Sequence, residues 1–141
     1  MVQVHLDFLL VTNNIIIYDM INQYKLLVNS LKLLGISYEE QVSFLPDYAD
    51  IKDDVVSEFI NAFYLVPQLM EKNKLSYKAV NKILYCYVLL ELNLSIEERS
   101  TDSAFETHES WEQVRVLARE ALTEMGESIE APPKDSIDFN D

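Results

Sequence analysis

Two histidines, one cysteine and two pairs of glutamates are the residues whose types could support catalysis or metal binding. His5 and His108 lie far apart in the sequence, and neither has a cysteine partner, so they make a poor zinc site. Cys86 lies among apolar residues, which predicts a buried structural thiol rather than a reactive one. We therefore predict neither a metal site nor thiol chemistry.

The glutamate pairs have the spacing of magnesium ligands in all-α nucleotide pyrophosphohydrolases. They are Glu106-x-x-Glu109 and Glu127-x-x-Glu130. The first pair falls at a predicted loop–helix junction and the second in a predicted tail, whereas magnesium ligation needs a rigid helical face. The two glycines are expected at helix ends, so no glycine-rich phosphate loop exists. We predict that the chain is not an enzyme and carries no cofactor.

An acidic, tyrosine-bearing loop at 46–54 is the most suggestive feature of the sequence. Carboxylates can pair with arginine, and tyrosine supplies a rigid amphipathic anchor. A second acidic group follows at 106–112. The predicted partner-binding residues are Asp47, Tyr48, Asp50, Asp53, Asp54, Glu106, Glu109 and Glu112. The alternative is that Asp53 or Asp54 caps a helix while the other aspartates are solvated turn residues.

The formal net charge of −13 narrows the class of partner. Such a chain is repelled by nucleic acid and by anionic membranes, and it attracts basic protein surfaces. The charge is uneven: residues 71–95 hold four lysines against two glutamates, and acids dominate on both sides. We expect a basic protein partner, no nucleic acid and no membrane.

Scarce turn residues set the expected architecture. Two glycines and four prolines in 141 residues favour a few long helices with short connections. We predict an all-α fold, a compact bundle of about five helices forming a single domain over 1–126. Residues 127–141 contain five acids and a proline pair, which predicts a disordered acidic tail.

Apolar residues at steps of three and four predict helices over 14–34, from 53 or 54 to 66, over 77–92, and from 110 to 125. In the 77–92 helix the apolar positions are Val80, Ile83, Leu84, Tyr87, Val88, Leu90 and Leu92. Residues 2–11 fit either a helix or a strand. We favour a helix, because no second strand is available to pair with them.

Capping signals fix most of the expected helix ends. Ser37 with Glu40, and Ser110 with Gln113, read as capping boxes. Gly35, Asn73 and Gly126 stand where a left-handed terminal residue belongs. Pro67 should end or kink one helix and open another short one. The polar stretch 95–109 is expected to be a connecting loop.

These features together resemble the small acidic helical immunity proteins that neutralise bacterial toxins. The resemblance is carried by the loop at 46–54, the capped helices around it and the closing Trp111-Glu112-Gln113-Val114-Arg115 helix. It implies an antitoxin that covers the basic active face of a toxin, with a nuclease as the expected target. Carboxylates would occupy positions that substrate phosphates otherwise take.

Two other classes of function are also compatible with the sequence. The first is a binding protein of another kind: a DNA mimic carried by a phage or plasmid, or a helical adaptor protein, would also be acidic and helical. The second is a small all-α hydrolase, which would need a pocket with convergent polar groups. No signal-peptide pattern and no long apolar run is present. The expected location is the cytoplasm.

Overall fold

Helices make up the regular secondary structure of residues 2–137, the part of the chain whose backbone the computed structural model describes; side chains are described for residues 19–137. The all-α bundle predicted from the sequence is confirmed. Four of its helices are long and three are short. They are α1 (Val2–Gly35), α2 (Tyr38–Phe44), α3 (Ile51–Phe63), α4 (Val66–Glu71), α5 (Tyr77–Ser95), α6 (Asp102–Thr107) and α7 (Glu109–Glu124).

The core forms where the four long helices meet. Helix α5 packs along α7, α7 along α1, and α1 along α3. Fully buried members of the core include Leu27, Leu31, Leu34, Phe59, Ile83, Leu90, Trp111, Val114 and Leu122. Cys86 is also fully buried, and its thiol lies 3.6 Å from the carbonyl oxygen of Val114. Burial raises the pKa of this thiol far above its usual range, so the predicted structural cysteine is confirmed.

Helix α1 begins at Val2, so the helix favoured for residues 2–11 is confirmed for the backbone. The side chains of residues 2–18, including His5, lie outside the described part of the structure. Among the helices described, none combines the length and the apolar character that crossing a bilayer requires.

The C-terminal end of α1 is held by side chains from other helices. Gln41 Nε2 donates to the carbonyl oxygen of Leu33 at 3.0 Å, and an Arg119 nitrogen donates to that of Gly35 at 2.7 Å. A cation is favoured at this end of a helix. The left-handed conformation predicted for Gly35 is wrong, because this residue is helical. Its small size serves a close approach instead: a Cβ there would lie 3.1 Å from Arg119 Cγ.

The starts of α2 and α3 show which capping predictions hold. The Ser37 hydroxyl accepts from the Glu40 amide at 3.2 Å, as predicted. The prediction of Asp53 or Asp54 as the next cap is wrong, because Asp50 is the N-cap of α3 and accepts from the Asp53 amide at 3.1 Å. Because α3 begins about three residues earlier than predicted, Asp53 and Asp54 lie in its first helical turn.

The polar stretch 95–109 is not wholly a loop, since α6 lies within it. The Thr101 hydroxyl caps α6 by accepting from the Ala104 amide at 3.0 Å. The predicted cap of α7 is also wrong. His108, rather than Ser110, is the N-cap, and its Nδ1 accepts a hydrogen bond from the Ser110 amide at 3.0 Å.

The other predicted breaks between helices are confirmed. Pro67 lies in the first turn of α4, directly after the end of α3. Asn73 and Gly126 have positive φ angles of 57° and 73°, as expected of residues that terminate helices.

The segment after α7 packs against the bundle. Lys32 Nζ lies 3.8 Å from a carboxylate oxygen of Glu130, and the side chain of Ile137 is buried in the core. These contacts place residues 127–137 against the bundle, although their polar composition predicts disorder. Residues 138–141 lie outside the described part of the structure.

Candidate protein-binding surface

The connection between α2 and α3 is a tight turn that presents a tyrosine to solvent. The Ala49 amide donates to the carbonyl oxygen of Pro46 at 3.0 Å and closes the turn. Asp47 and Tyr48 stand at its tip, and 75% of Tyr48 is exposed. A large aromatic side chain held on a short, closed turn is suited to act as an anchor for a partner.

Two of the predicted aspartates mark the start of α3. Asp50 caps the helix, and Asp53 lies one turn later; both are exposed. The N-terminus of a helix carries a partial positive charge, which stabilises carboxylates placed there. Because of this stabilisation, aspartates can accumulate at this position with little cost to the fold.

Lys52 joins the start of α3 to the start of α6. Its side chain is only 17% exposed, and Nζ donates to the carbonyl oxygen of Ser100 at 2.6 Å. The same ammonium group lies 3.9 Å from Asp53 Oδ1 and 3.5 Å from Asp102 Oδ1. Carboxylates from two separate helices therefore lie on either side of one lysine.

Glu106 lies one helical turn after Asp102 and shares its face of α6. Both are exposed. We use the name acidic surface for Asp47, Tyr48, Asp50, Asp53, Asp102 and Glu106, with Lys52 between the two helices. Asp102 and Lys52 are absent from the predicted site residues. The signal that could have found Asp102 is the Thr101-Asp102 pair, which is typical of a helix start, whereas the position of Lys52 depends on a contact with a distant segment.

Three predicted site residues stand apart from the acidic surface. Asp54 is half-buried and makes an internal interaction. Glu109 is exposed at the start of α7. Within the described part of the chain, its side chain forms no hydrogen bond or ion pair with α3 or α6. In Glu112 one carboxylate oxygen lies 3.2 Å from an Arg115 nitrogen and the other 3.2 Å from an Arg119 nitrogen.

The buried Arg115 guanidinium explains why the exposed Glu112 side chain is engaged within its own protein. The Arg115 side chain is almost fully buried and donates at 2.5 Å to the carbonyl oxygen of Phe105. Burial lowers the pKa of Arg115, and the charge of Glu112 opposes this effect. Glu112 thus neutralises a buried cation, and we leave it out of the acidic surface.

A groove of about 1030 Å³ separates α1 from the segment after α7. Lys25, Lys32 and Lys74 line it together with Tyr24, whose hydroxyl donates to Glu127 Oε2 at 3.3 Å. Burial, and secondarily Glu127, raises the pKa of Tyr24. The described lining holds neither histidine nor cysteine. Within the described residues, no group of three or more histidine, cysteine or acidic side chains is placed to hold a metal ion.

The chain was compared with protein families, with curated proteins and with solved structures. It matches no family model, and neither of the other two comparisons found a significant match.

Proposed function

We propose that this protein binds a basic protein partner through the acidic surface and acts as an immunity protein that neutralises a toxin. The expected toxin is a nuclease, whose substrate-binding face must be cationic to hold a phosphate backbone. The observation that carries the proposal is the convergence of carboxylates from α3 and α6 at Lys52, with the exposed Tyr48 in the turn that leads into α3.

The acidic surface has the chemistry that such a partner would recognise. Its carboxylates are spread over two helix starts and one turn, so several arginine or lysine side chains can be paired at once. Tyr48 would add apolar contact at the centre of the interface, where aromatic anchors contribute most to affinity. Charge of opposite sign would also speed association, since the long-range field steers the encounter.

A DNA mimic is less compatible with the same surface. A mimic needs carboxylates at regular spacing along one continuous face, whereas the Lys52 ammonium interrupts the row between Asp53 and Asp102. The helical adaptor and hydrolase alternatives have no comparable observation in their favour, and we retain the prediction that the chain is not an enzyme.

The test compares the wild-type protein with a variant in which three carboxylates of the acidic surface are neutralised. Each protein is used to capture binding partners from cells of the source organism. The variant combines Asp47→Asn, Asp53→Asn and Asp102→Asn and leaves the Asp50 cap intact. We expect the wild-type protein to retain a basic protein at low salt and to inhibit that protein's nuclease activity. The variant should bind at least about 100-fold more weakly, because each lost charge pair contributes on the order of 1 kcal/mol or more.

A matched control removes the same amount of charge elsewhere. It combines Asp19→Asn, Glu71→Gln and Glu124→Gln, three exposed acids outside the acidic surface. Its affinity should stay within about threefold of the wild type if local contacts dominate. An equal loss of affinity in both variants would mean that binding depends only on the net charge of the protein. Equal retention in both would remove the acidic surface from the interaction.

A further inference from the structure

Helix α5 exposes a stripe of large apolar side chains on the side that faces away from the bundle. Their exposure ranges from 44% for Leu84 to 92% for Tyr77. We call this set the α5 stripe; its members are Tyr77, Leu84, Tyr85, Val88 and Leu92. The opposite side of the helix, which includes Ile83, Cys86 and Leu90, is fully buried.

The spacing of these residues places them on one side of α5, where the exposed Asn81 is a polar member between Tyr77 and Leu84. Positions 77, 84, 88 and 92 follow each other at steps of seven and four, which aligns them on one side of an α-helix. Tyr85 borders this line. Tyr64, at the C-terminal end of α3, is 66% exposed and lies next to Phe63, whose ring stacks on Tyr87 at 4.0 Å. Tyr64 therefore widens the apolar face.

The area of this face is large for an isolated protein surface. Three tyrosines and three aliphatic side chains at these exposures offer roughly 600 Å² of accessible surface, taking about 150–250 Å² for each whole aromatic side chain. A stable interface buries about 800 Å² per partner, and polar residues at the rim can supply the difference. Apolar patches of this size mark interaction sites.

We propose that the α5 stripe binds the same stripe of a second copy of this chain, with the two α5 helices antiparallel. The charges at the two ends of α5 favour a second copy of the chain as the binding partner and an antiparallel arrangement of the two helices. Exposed lysines 72, 74 and 78 stand at the start of α5, and exposed glutamates 91, 97 and 98 stand at its end. An antiparallel copy sets lysines against glutamates at both ends, whereas a parallel copy sets like charges together.

A two-fold axis between the copies would cross the stripe near its midpoint. Leu84 and Tyr85 lie midway between Tyr77 and Leu92, so each would contact its own counterpart in the second copy. Tyr77 of one copy would then lie near Leu92 of the other. Large apolar side chains lie on both sides of this midpoint, as a self-complementary interface requires, and Asn81 lies among them on one side.

Net charge also favours this side of the molecule for contact between copies. Residues 71–95 carry four lysines and two glutamates in a chain whose net charge is −13. Two copies would therefore repel each other least when these regions meet. The remaining repulsion grows with the square of the net charge, so added salt should strengthen the dimer.

The first experiment measures the oligomeric state of the purified full chain by sedimentation equilibrium at moderate salt. We expect a monomer–dimer equilibrium with a dissociation constant in the micromolar range. Val88→Glu should weaken the dimer at least about tenfold, because it places two carboxylates inside the interface. Val42→Glu is the matched control: Val42 is 45% exposed on α2, and its replacement should leave the equilibrium unchanged.

The second experiment tests the direction of the helices by disulfide formation. Tyr85→Cys should cross-link to itself in the dimer, since residue 85 lies beside the axis. Tyr77→Cys should not cross-link to itself, because an antiparallel pair separates these residues by about 20 Å at 1.5 Å of rise per residue. The native Cys86 is buried and should not compete. Far-ultraviolet circular dichroism and thermal melts would show that each variant is folded.

A third variant pair tests the end charges. Lys78→Glu should weaken the dimer about threefold or more, and the combination of Lys78→Glu with Glu91→Lys should restore it, because the ends again carry opposite charge. Three outcomes would overturn the proposal: a monomer at every concentration up to the millimolar range, a dimer that Val88→Glu leaves intact, or self-cross-linking of Tyr77→Cys but not of Tyr85→Cys. The proposal does not depend on the acidic surface, so either one can fail alone.

Discussion

The acidic surface and the α5 stripe present opposite kinds of chemistry to solvent. In the acidic surface, one carboxylate from α3 and one from α6 lie within 4 Å of Lys52, and the helix N-termini stabilise their charge. In the α5 stripe, large apolar side chains are exposed to solvent, while the opposite side of the same helix is fully buried in the core. The first arrangement is stable without a partner, whereas the second gains free energy only when something covers it.

The two surfaces should therefore respond in opposite ways to the same conditions. Salt screens attraction between the acidic surface and a basic protein, and it equally screens repulsion between two copies. For two charges of −13 with centres roughly 35 Å apart, the unscreened repulsion in water is on the order of 20 kcal/mol. A lysine–glutamate pair at about 10 Å contributes only about 0.4 kcal/mol, so repulsion decides the sign for the dimer.

The largest predicted effect distinguishes the two sides of α5. Cys86→Lys should lower the free energy of unfolding by at least about 3 kcal/mol, since it buries an unpaired charge in the core. Tyr85→Lys, at the neighbouring exposed position, should change that free energy by less than about 0.5 kcal/mol. Urea denaturation at low protein concentration, where the monomer dominates, measures both. Similar losses in the two variants would mean that the stripe is not exposed in solution.

A smaller effect is expected from the lysine that joins α3 to α6. Lys52→Met keeps most of the aliphatic stem and removes the charged hydrogen bond to Ser100, which should cost about 1.5–3 kcal/mol of stability. The carboxylates of Asp53 and Asp102 would also lose the cation between them. Lys72→Met, which removes an exposed lysine, should cost less than about 0.5 kcal/mol. Equal melting temperatures for the two variants would contradict the described role of Lys52.

The smallest effect is the response to salt, at about 1.4 kcal/mol or tenfold in Kd for each surface. Between about 50 mM and 500 mM sodium chloride, binding of the basic partner should weaken roughly tenfold while the dimer tightens by a similar factor. Isothermal titration calorimetry measures the first and sedimentation equilibrium the second. If both constants moved in the same direction, the contrast between the two surfaces would be lost.

The sequence revealed the acidic surface better than it revealed the α5 stripe, and the reason is physical. Aspartates are rarely buried without a partner, so Asp47, Asp50 and Asp53 could be placed on the surface directly from their type. In α5 the apolar residues cover more than half of the helix circumference. Leu84, Val88 and Leu92 were predicted as apolar positions together with Ile83 and Leu90, and no periodicity could separate the exposed side from the buried one.

Contacts between distant segments account for most of the other differences. The buried side chain of Ile137 and the ion pair of Lys32 with Glu130 place against the bundle a segment whose composition alone suggests disorder. Helix α6 has only six residues, and its helical state depends on burying Ala104 and Phe105 in the core. Propensity is too weak to decide so short an element. By contrast, the long helices and most of the breaks between them follow from local patterns.

The only tryptophan of the chain is fully buried and is hydrogen-bonded to the segment that Lys52 holds. Trp111 Nε1 donates at 2.6 Å to the carbonyl oxygen of Arg99, within the turn that leads from the end of α5 to the Ser100 carbonyl held by Lys52. Its indole therefore sits where movements of α5 and α6 would converge. Intrinsic fluorescence excited selectively at this tryptophan should report a displacement of that turn when a partner engages the acidic surface, and it requires no attached dye.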